Sequence, residues 1–439
     1  MSISTPQANT PQSNTPQWSR YRPPKVPVDR AQGWRRRLTI ATAVTAAALV
    51  WQLAPVVASA ALPSVPVTEP AFPTEVSYSW WTPKLSESRI DRATMLYLNR
   101  PDDLPEYQEV LLGTDGGAYR KLGTDVPLDA DGYPVTAILS PDGGSLIHGT
   151  GVAPEITVTS LSDGSRRTIP VPAEHALHPL SVTEDGRTVL VSSGDPYDPD
   201  ACAVPGLIDL VTGELRLFPG LCGLGVAALS PDGTRIAALE RHTQSDPELD
   251  KTNLVWLDAA DGRVRGRISG LGGPGYHDVQ LDANAWSADG RRIALASSTC
   301  SGACRTSLWV VDVSGAAPTK REFPLSRTEW SENAYALGWR DTSTVLVAEG
   351  MAPLSFAWVD VTTGDRDVFS TYRPDWTSAD LLRPQVARNL LPQWQVQPVP
   401  ADRGPGATVA GAFTWSALAG IAALLIPVRL PAFGRRGPA

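Results

Sequence analysis

From about Glu75 to Trp376 the chain alternates short apolar runs with polar turns and shows almost no 3.6-residue periodicity, which predicts strands rather than helices. The clearest unit is Ala227 to Leu239, in which two apolar runs flank Ser230-Pro231-Asp232-Gly233. Pro231 presets φ at the first central position of a turn, and Gly233 can take a positive φ that a side chain resists, so the unit predicts a β-hairpin. The same cassette recurs at Ser140-Pro141-Asp142-Gly143 and Ser287-Ala288-Asp289-Gly290. It is looser at Thr183-Glu184-Asp185-Gly186 and weak at Trp339-Arg340-Asp341-Thr342.

A second turn series ends in Gly116, Gly164, Gly213, Gly262, Gly315 and Gly364, at steps of 48, 49, 49, 53 and 49 residues. Each of these glycines follows an apolar run that often closes on Asp, as in Leu207-Ile208-Asp209 and Val255-Trp256-Leu257-Asp258. Two hairpins in each repeat of about 50 residues make four strands, which is one propeller blade. The expected fold is all-β, a six-bladed β-propeller over 75–372, with seven blades if 385–397 adds a partial one rather than a closing strand. The first blade has no S-P-D-G cassette, and Thr82 to Arg92 stands in its place.

The L-S-P-D-G turn, the apolar strand after it and the following apolar-Asp-x-x-x-Gly turn resemble the blade repeat of the TolB-type six-bladed propellers, relatives in shape of the WD-repeat proteins. The resemblance covers roughly 75–372 and implies a ring-shaped scaffold. Its repeats also resemble those of oligopeptidase propellers, but no G-x-S-x-G nucleophile elbow accompanies them.

Two uncharged runs flank the repeats. Residues 38–62, about 37 Å long as a helix, and 407–428 are both long enough to cross a bilayer. Residues 1–37 carry seven basic side chains against Asp29 alone, and the tail 429–439 carries three arginines and no acid. The chain as a whole is at −8, so 38–428 holds −17. By the positive-inside rule both termini are cytoplasmic and the acidic middle is extracytoplasmic. Low Lys with high Arg, Ala and Pro suits a bacterial cell membrane protein from a GC-rich source. A cleaved signal peptide is the other reading of 38–62, given Ala58-Ser59-Ala60 and Arg35-Arg36-Arg37, and either reading exports the middle of the chain. Residues 1–37, with three Thr-Pro-Gln repeats, predict a disordered basic tail. Residues 63–74 and 373–406, rich in proline, predict a linker and a membrane-proximal linker.

Export places Cys202, Cys222, Cys300 and Cys304 where disulfides persist, and the local pairings 202–222 and 300–304 are expected. Their C-x19-C and C-x3-C spacings do not match paired zinc knuckles. Walker, H-E-x-x-H and EF-hand spacings are absent from the sequence.

The D-G turns fall on one face of the expected ring and several longer connections fall on the other. Function on a rigid scaffold concentrates in such loops. The candidate ligand-binding residues are therefore Tyr197, Asp198, Asp200, His242, Tyr276, His277 and Trp330, with no catalytic or metal-ligating set among them. The expected function is a membrane-anchored, extracytoplasmic, non-catalytic binding or scaffold module for a protein, peptide or cell-wall ligand. Two helices reach the membrane, no nucleic acid is engaged and no cofactor is required. The alternative is a propeller-class enzyme of lactonase or sugar-oxidising type, using acidic loop residues with calcium.

Overall fold

A computed structural model of the chain describes residues 38–39, 41–43, 45–46, 70–78, 82–101, 108–123, 137–149, 153–173, 176–194, 204–218, 221, 224–240, 252–271, 276–300, 304–328, 333–350, 354–374 and 379–401. The chain divides into two compact units, Met1–Leu62 with Val409–Ala439, and Pro63–Thr408. Among the described residues no helix is long and apolar enough to cross a membrane. The run 407–428 lies outside the described residues, and of 38–62 only positions up to 46 lie inside them, where they are helical.

The larger unit is a six-bladed β-propeller. Blade two is Ile138–Leu139, Ser145–Gly149, Glu155–Ser160 and Arg166–Pro170; blade three is Leu177–Val182, Thr188–Ser193, Val204–Asp209 and Leu215–Leu217. Blade four is Leu224–Leu229, Arg235–Glu240, Thr252–Asp258 and Val264–Leu271; blade five is Tyr276–Gln280, Arg292–Cys300, Cys304–Asp312 and Thr319–Thr328. Blade six is Asn333–Trp339, Thr344–Gly350, Ser355–Asp360 and Arg366–Pro374, and Glu75–Tyr78 adds a fifth, parallel strand along its outer edge.

Blade one joins both ends of the larger unit. Its innermost strand, Ala379–Val386, comes from the C-terminal side and pairs antiparallel with Ala93–Pro101, followed by Gln108–Gly113 and Tyr119–Lys121. This explains the missing first cassette. The inner and second strands of blade one are not consecutive in the chain, so no hairpin turn joins them. Residues 82–92 instead pack on the outer strand, with Leu85 N–H donating to Lys121 O at 2.8 Å.

Two expected linkers are thereby corrected. Within 63–74, Ala71–Pro73 is a buried strand that pairs in parallel with Gln395–Gln397; within 373–406, Ala379–Val386 closes the ring. Proline there marked extended backbone, which a strand uses as readily as a spacer. Phe72 stacks on Trp394 with centroids 4.4 Å apart, so the two end segments share one core with blades one and six.

The blades pack face to face through Val, Leu, Ile and Ala from alternate positions of each strand. Indole N–H groups add directional ties: Trp286 donates to Ala228 O of blade four at 3.0 Å, and Trp339 donates to Ala285 O of blade five at 2.8 Å.

Candidate channel and loop face

Each innermost strand runs from the long-loop face toward the D-G turns, so six inner strands surround a central channel whose two ends differ.

At the turn end the channel is crossed by side chains. After the closing strand the chain forms a short 3-10 helix, Arg388–Gln393. Arg388 Nε donates to Asn284 Oδ1 at 3.1 Å and Nη2 to Val182 O at 3.3 Å. Asn284 Nδ2 in turn donates to Val386 O at 2.8 Å, and Ser181 Oγ donates to Ala283 O at 2.8 Å. These bonds link blades one, three and five across the ring. Burial lowers the Arg388 guanidinium to about 10, with the Glu184 charge opposing the shift.

Deeper in the channel is a cavity of about 70 Å³, lined by side chains from all six blades and including Leu180, Gln280, Asp282, Tyr335, Arg383 and Gln385. The Asp282 carboxyl is the unusual group. Burial pushes it up to about 8, while main-chain N–H groups of Asn284 and Ala283 pull it back. Its Oδ1 has no hydrogen-bond partner among the described residues. Opposite, the closing strand is irregular between Leu382 and Gln385, and Arg383 sits at φ 45°, a strained left-handed conformation for a side chain of this size. Gln385 ties this irregularity to blade two by donating to Ala137 O at 3.2 Å. Nearby, Glu109 Oε1 accepts the Ala137 N–H at 3.0 Å, and burial raises its carboxyl to about 7.

The cavity has room for a few water molecules and is well below the ~300 Å³ of a typical organic-ligand pocket.

At the long-loop end, Tyr276 and His277 open the inner strand of blade five, paired with Cys300 and Thr299. Cys300 and Cys304 form the expected disulfide, which staples the connection between the second and third strands of that blade. The structure therefore brings Tyr276, His277 and one disulfide to the same end of the ring. Tyr197, Asp198, Asp200, His242 and Trp330, together with Cys202 and Cys222, lie outside the described residues.

Asp282, Arg383 and Arg388 did not stand out in the sequence. Asp282 and Asn284 interrupt an apolar inner-strand run ahead of a D-G turn, which was the available signal. Arg383 and Arg388 fall in a segment that reads as linker until its pairing is known.

Among solved structures, the chain is similar to TolB from Acinetobacter baumannii, at 17% identity over 67% of this chain and 66% of that one, with a TM-score of 0.42. It is also similar to an oligogalacturonate lyase in complex with manganese, at 15% identity over 68% and 79% with a TM-score of 0.43. A chain of a nidogen/laminin complex matches at 12% identity over 68% and 99%, with a TM-score of 0.41. No family model matches the chain. No curated protein matches it either. The six-bladed ring follows from the strand topology itself.

Proposed function

We propose that the chain is a membrane-anchored, extracytoplasmic propeller that holds a protein, peptide or cell-envelope ligand on its long-loop face without transforming it. The observation that carries this reading is the turn end of the channel, bridged through Arg388 to blades three and five, which leaves the long-loop face as the end for a ligand to approach. The disulfide at Cys300 and Cys304 stiffens one loop of that face, which lowers the ordering cost of binding. The uncharged runs 38–62 and 407–428, each long enough to cross a bilayer, support the anchor. The basic flanks of these runs favour cytoplasmic termini.

The test uses the full-length chain in intact cells, with a photocrosslinking residue in place of Tyr276 or His277. Capture of one recurrent partner from the extracytoplasmic side is expected, and a control residue on the turn face should not capture it. Absence of any specific product, together with turnover of a lactone or sugar by the purified chain, would reject the reading. The enzymatic alternative draws on Asp282, whose buried, unpartnered carboxylate oxygen faces the channel. Calcium titration followed by calorimetry separates the two, because stoichiometric binding abolished by Asp282→Asn favours the enzyme.

A further inference from the structure

The inner strands of blades one, three, four and six each slip by a single residue against their neighbours. Blade five departs further. Gln280 pairs with Ala296 and the next bridge is Trp286 with Ile293, so six steps along the inner strand face three along the second. The surplus gathers in Leu281-Asp282-Ala283-Asn284-Ala285, which turns back on itself as the Ala285 N–H donates to Asp282 O at 3.1 Å. Backbone excess of this kind re-aims side chains and recurs beside functional sites.

The excursion is held from across the ring. Ala283 O accepts the Ser181 hydroxyl of blade three at 2.8 Å. Asn284 Nδ2 donates to Val386 O at 2.8 Å, while its Oδ1 accepts Arg388 Nε at 3.1 Å. Asp282 is the exception. It lines the channel cavity, and its Oδ1 is buried without a hydrogen-bond partner among the described residues. Burial raises this carboxyl, and the groups that pull it back are the main-chain N–H groups of Asn284 and Ala283, with no cationic side chain among them. The facing wall carries a second irregularity, at which Arg383 is held left-handed at φ 45° ahead of Pro384. Strain of this size persists where the surrounding structure enforces it, and it clusters at ligand clamps.

The rest of the lining narrows the occupant. Pro179, Leu180, Val226 and Leu281 are apolar, and Gln385 is committed to Ala137 O and the Leu139 N–H of blade two. One carboxylate among such walls is a thin donor set for calcium, which takes about six to eight oxygens. It suits a single cationic head on an apolar stem. Depth agrees. Pro179, Val226 and Tyr335 lie two residues below the loop-face ends of their strands, at Leu177, Leu224 and Asn333, a descent of about 7 Å. The four-carbon stem of a lysine carries its ammonium roughly 6 Å from the backbone.

We infer that the channel cavity receives an alkylammonium group, the side chain of a lysine carried by the ligand on the long-loop face, with Asp282 as its counter-charge. This rests on the loop face being the binding face, and it assigns that ligand a chemical feature.

The test titrates n-butylammonium, a lysine side chain without its backbone, against the full-length chain by saturation-transfer NMR at physiological ionic strength, with n-butanol as the uncharged control. Saturable binding of the ammonium alone is expected, at about millimolar strength for so few atoms, and weakened at least tenfold by Asp282→Asn. Val226→Phe fills the cavity from blade four and leaves the carboxyl in place; it should weaken binding as much, which keeps the test decisive if Asp282→Asn misfolds. Affinity should also rise about tenfold from pH 6 to pH 7 as the carboxyl, raised to about 8, ionises. Arg383 stays charged throughout, and Glu109→Gln, which removes the other carboxyl titrating in this range, should leave the rise in place. Absence of saturable binding, or equal binding by n-butanol or by a well-folded Asp282→Asn chain, overturns the inference. So does displacement of the ammonium by stoichiometric calcium, since the cavity would then be a metal site. Binding of n-butylammonium but not of Nα-acetyl-lysine methylamide overturns the lysine in favour of a free amine. Failure here with a partner still captured at Tyr276 or His277 removes the lysine alone and leaves the binding face standing.

Discussion

Single side chains in the D-G turns hold the hairpins that build the ring. Ser230 is fully buried; its hydroxyl donates to Asp232 Oδ1 at 2.6 Å and accepts the Arg235 N–H at 2.9 Å. The same bonds are made by Ser287 to Asp289 and by Ser140 to Asp142, and Thr183 makes them to Asp185 in blade three. Ser230→Ala removes a donor and strands a buried N–H, so a loss of roughly 1–2 kcal/mol is expected in chemical denaturation. Ser230→Thr, which restores the hydroxyl that blade three uses naturally, should recover most of it.

The buried carboxyls give a separate residue-scale prediction. Asp282 and Glu109 are raised to about 8 and about 7 in the folded chain, above their unfolded values, so folding favours their protonated forms. Their contribution is full below about pH 4 and is lost as pH rises through 7 to 8, by at most ~1.4 kcal/mol per pH unit for each group. The turn aspartates act oppositely. The Thr183 hydroxyl and the Arg187 N–H hold Asp185 below its ordinary value, so its contribution is present above the unfolded value and is lost as pH falls through the folded one. The melting temperature should therefore decline from pH 5 to pH 9, and Asp282→Asn with Glu109→Gln should flatten that decline. A wild-type profile that rises across this range contradicts the assignment.

Among the elements, the inner strands are tied to their neighbours by side chains as well as by apolar packing. Trp286 is fully buried, and its N–H reaches the main chain of the preceding blade. Trp286→Phe keeps most of the ring volume but loses the indole donor to Ala228 O, which stays in the ladder with Ala237, and a loss of about 0.5–1.5 kcal/mol is expected from equilibrium unfolding. Gly143 marks a close approach between elements. It sits at φ 75°, and a Cβ would come within 2.2 Å of Ala93 O, a backbone atom of blade one that cannot move aside cheaply. Gly143→Ala should therefore destabilise more than the ~1 kcal/mol cost of the positive φ alone, read as a lowered melting temperature.

For the whole molecule, closure depends on residues far from the repeats. The strand Ala379–Val386 and the helix after it connect blade one to blade six, and Arg388 carries that connection across the channel to blade three. A chain ending at Pro374 keeps every D-G cassette yet loses the inner strand of blade one. It should lose the cooperative unfolding transition and the near-ultraviolet circular dichroism of packed aromatics. If such a truncated chain melts as sharply as the full one, the closure described above is not what holds the ring together.

The number of blades, the hairpin turns and the short disulfide were legible in the sequence, because each depends on residues close together in the chain. Turn chemistry acts over four residues, strand alternation over six, and the Cys300 to Cys304 bridge over five. Of the loop-face candidates, Tyr276 and His277 open an inner strand at that end, and the other five lie outside the described residues. Tertiary structure alone decided the rest. The prolines of 373–406 read as spacer because nothing local shows that Leu382 will lie beside Leu98. Asp282 became a channel group only when six strands from distant positions surrounded it. Burial and charge environment come from contacts between residues far apart in the chain. The sequence by itself determined the repeating unit; only the closed ring decided which side chains lost water.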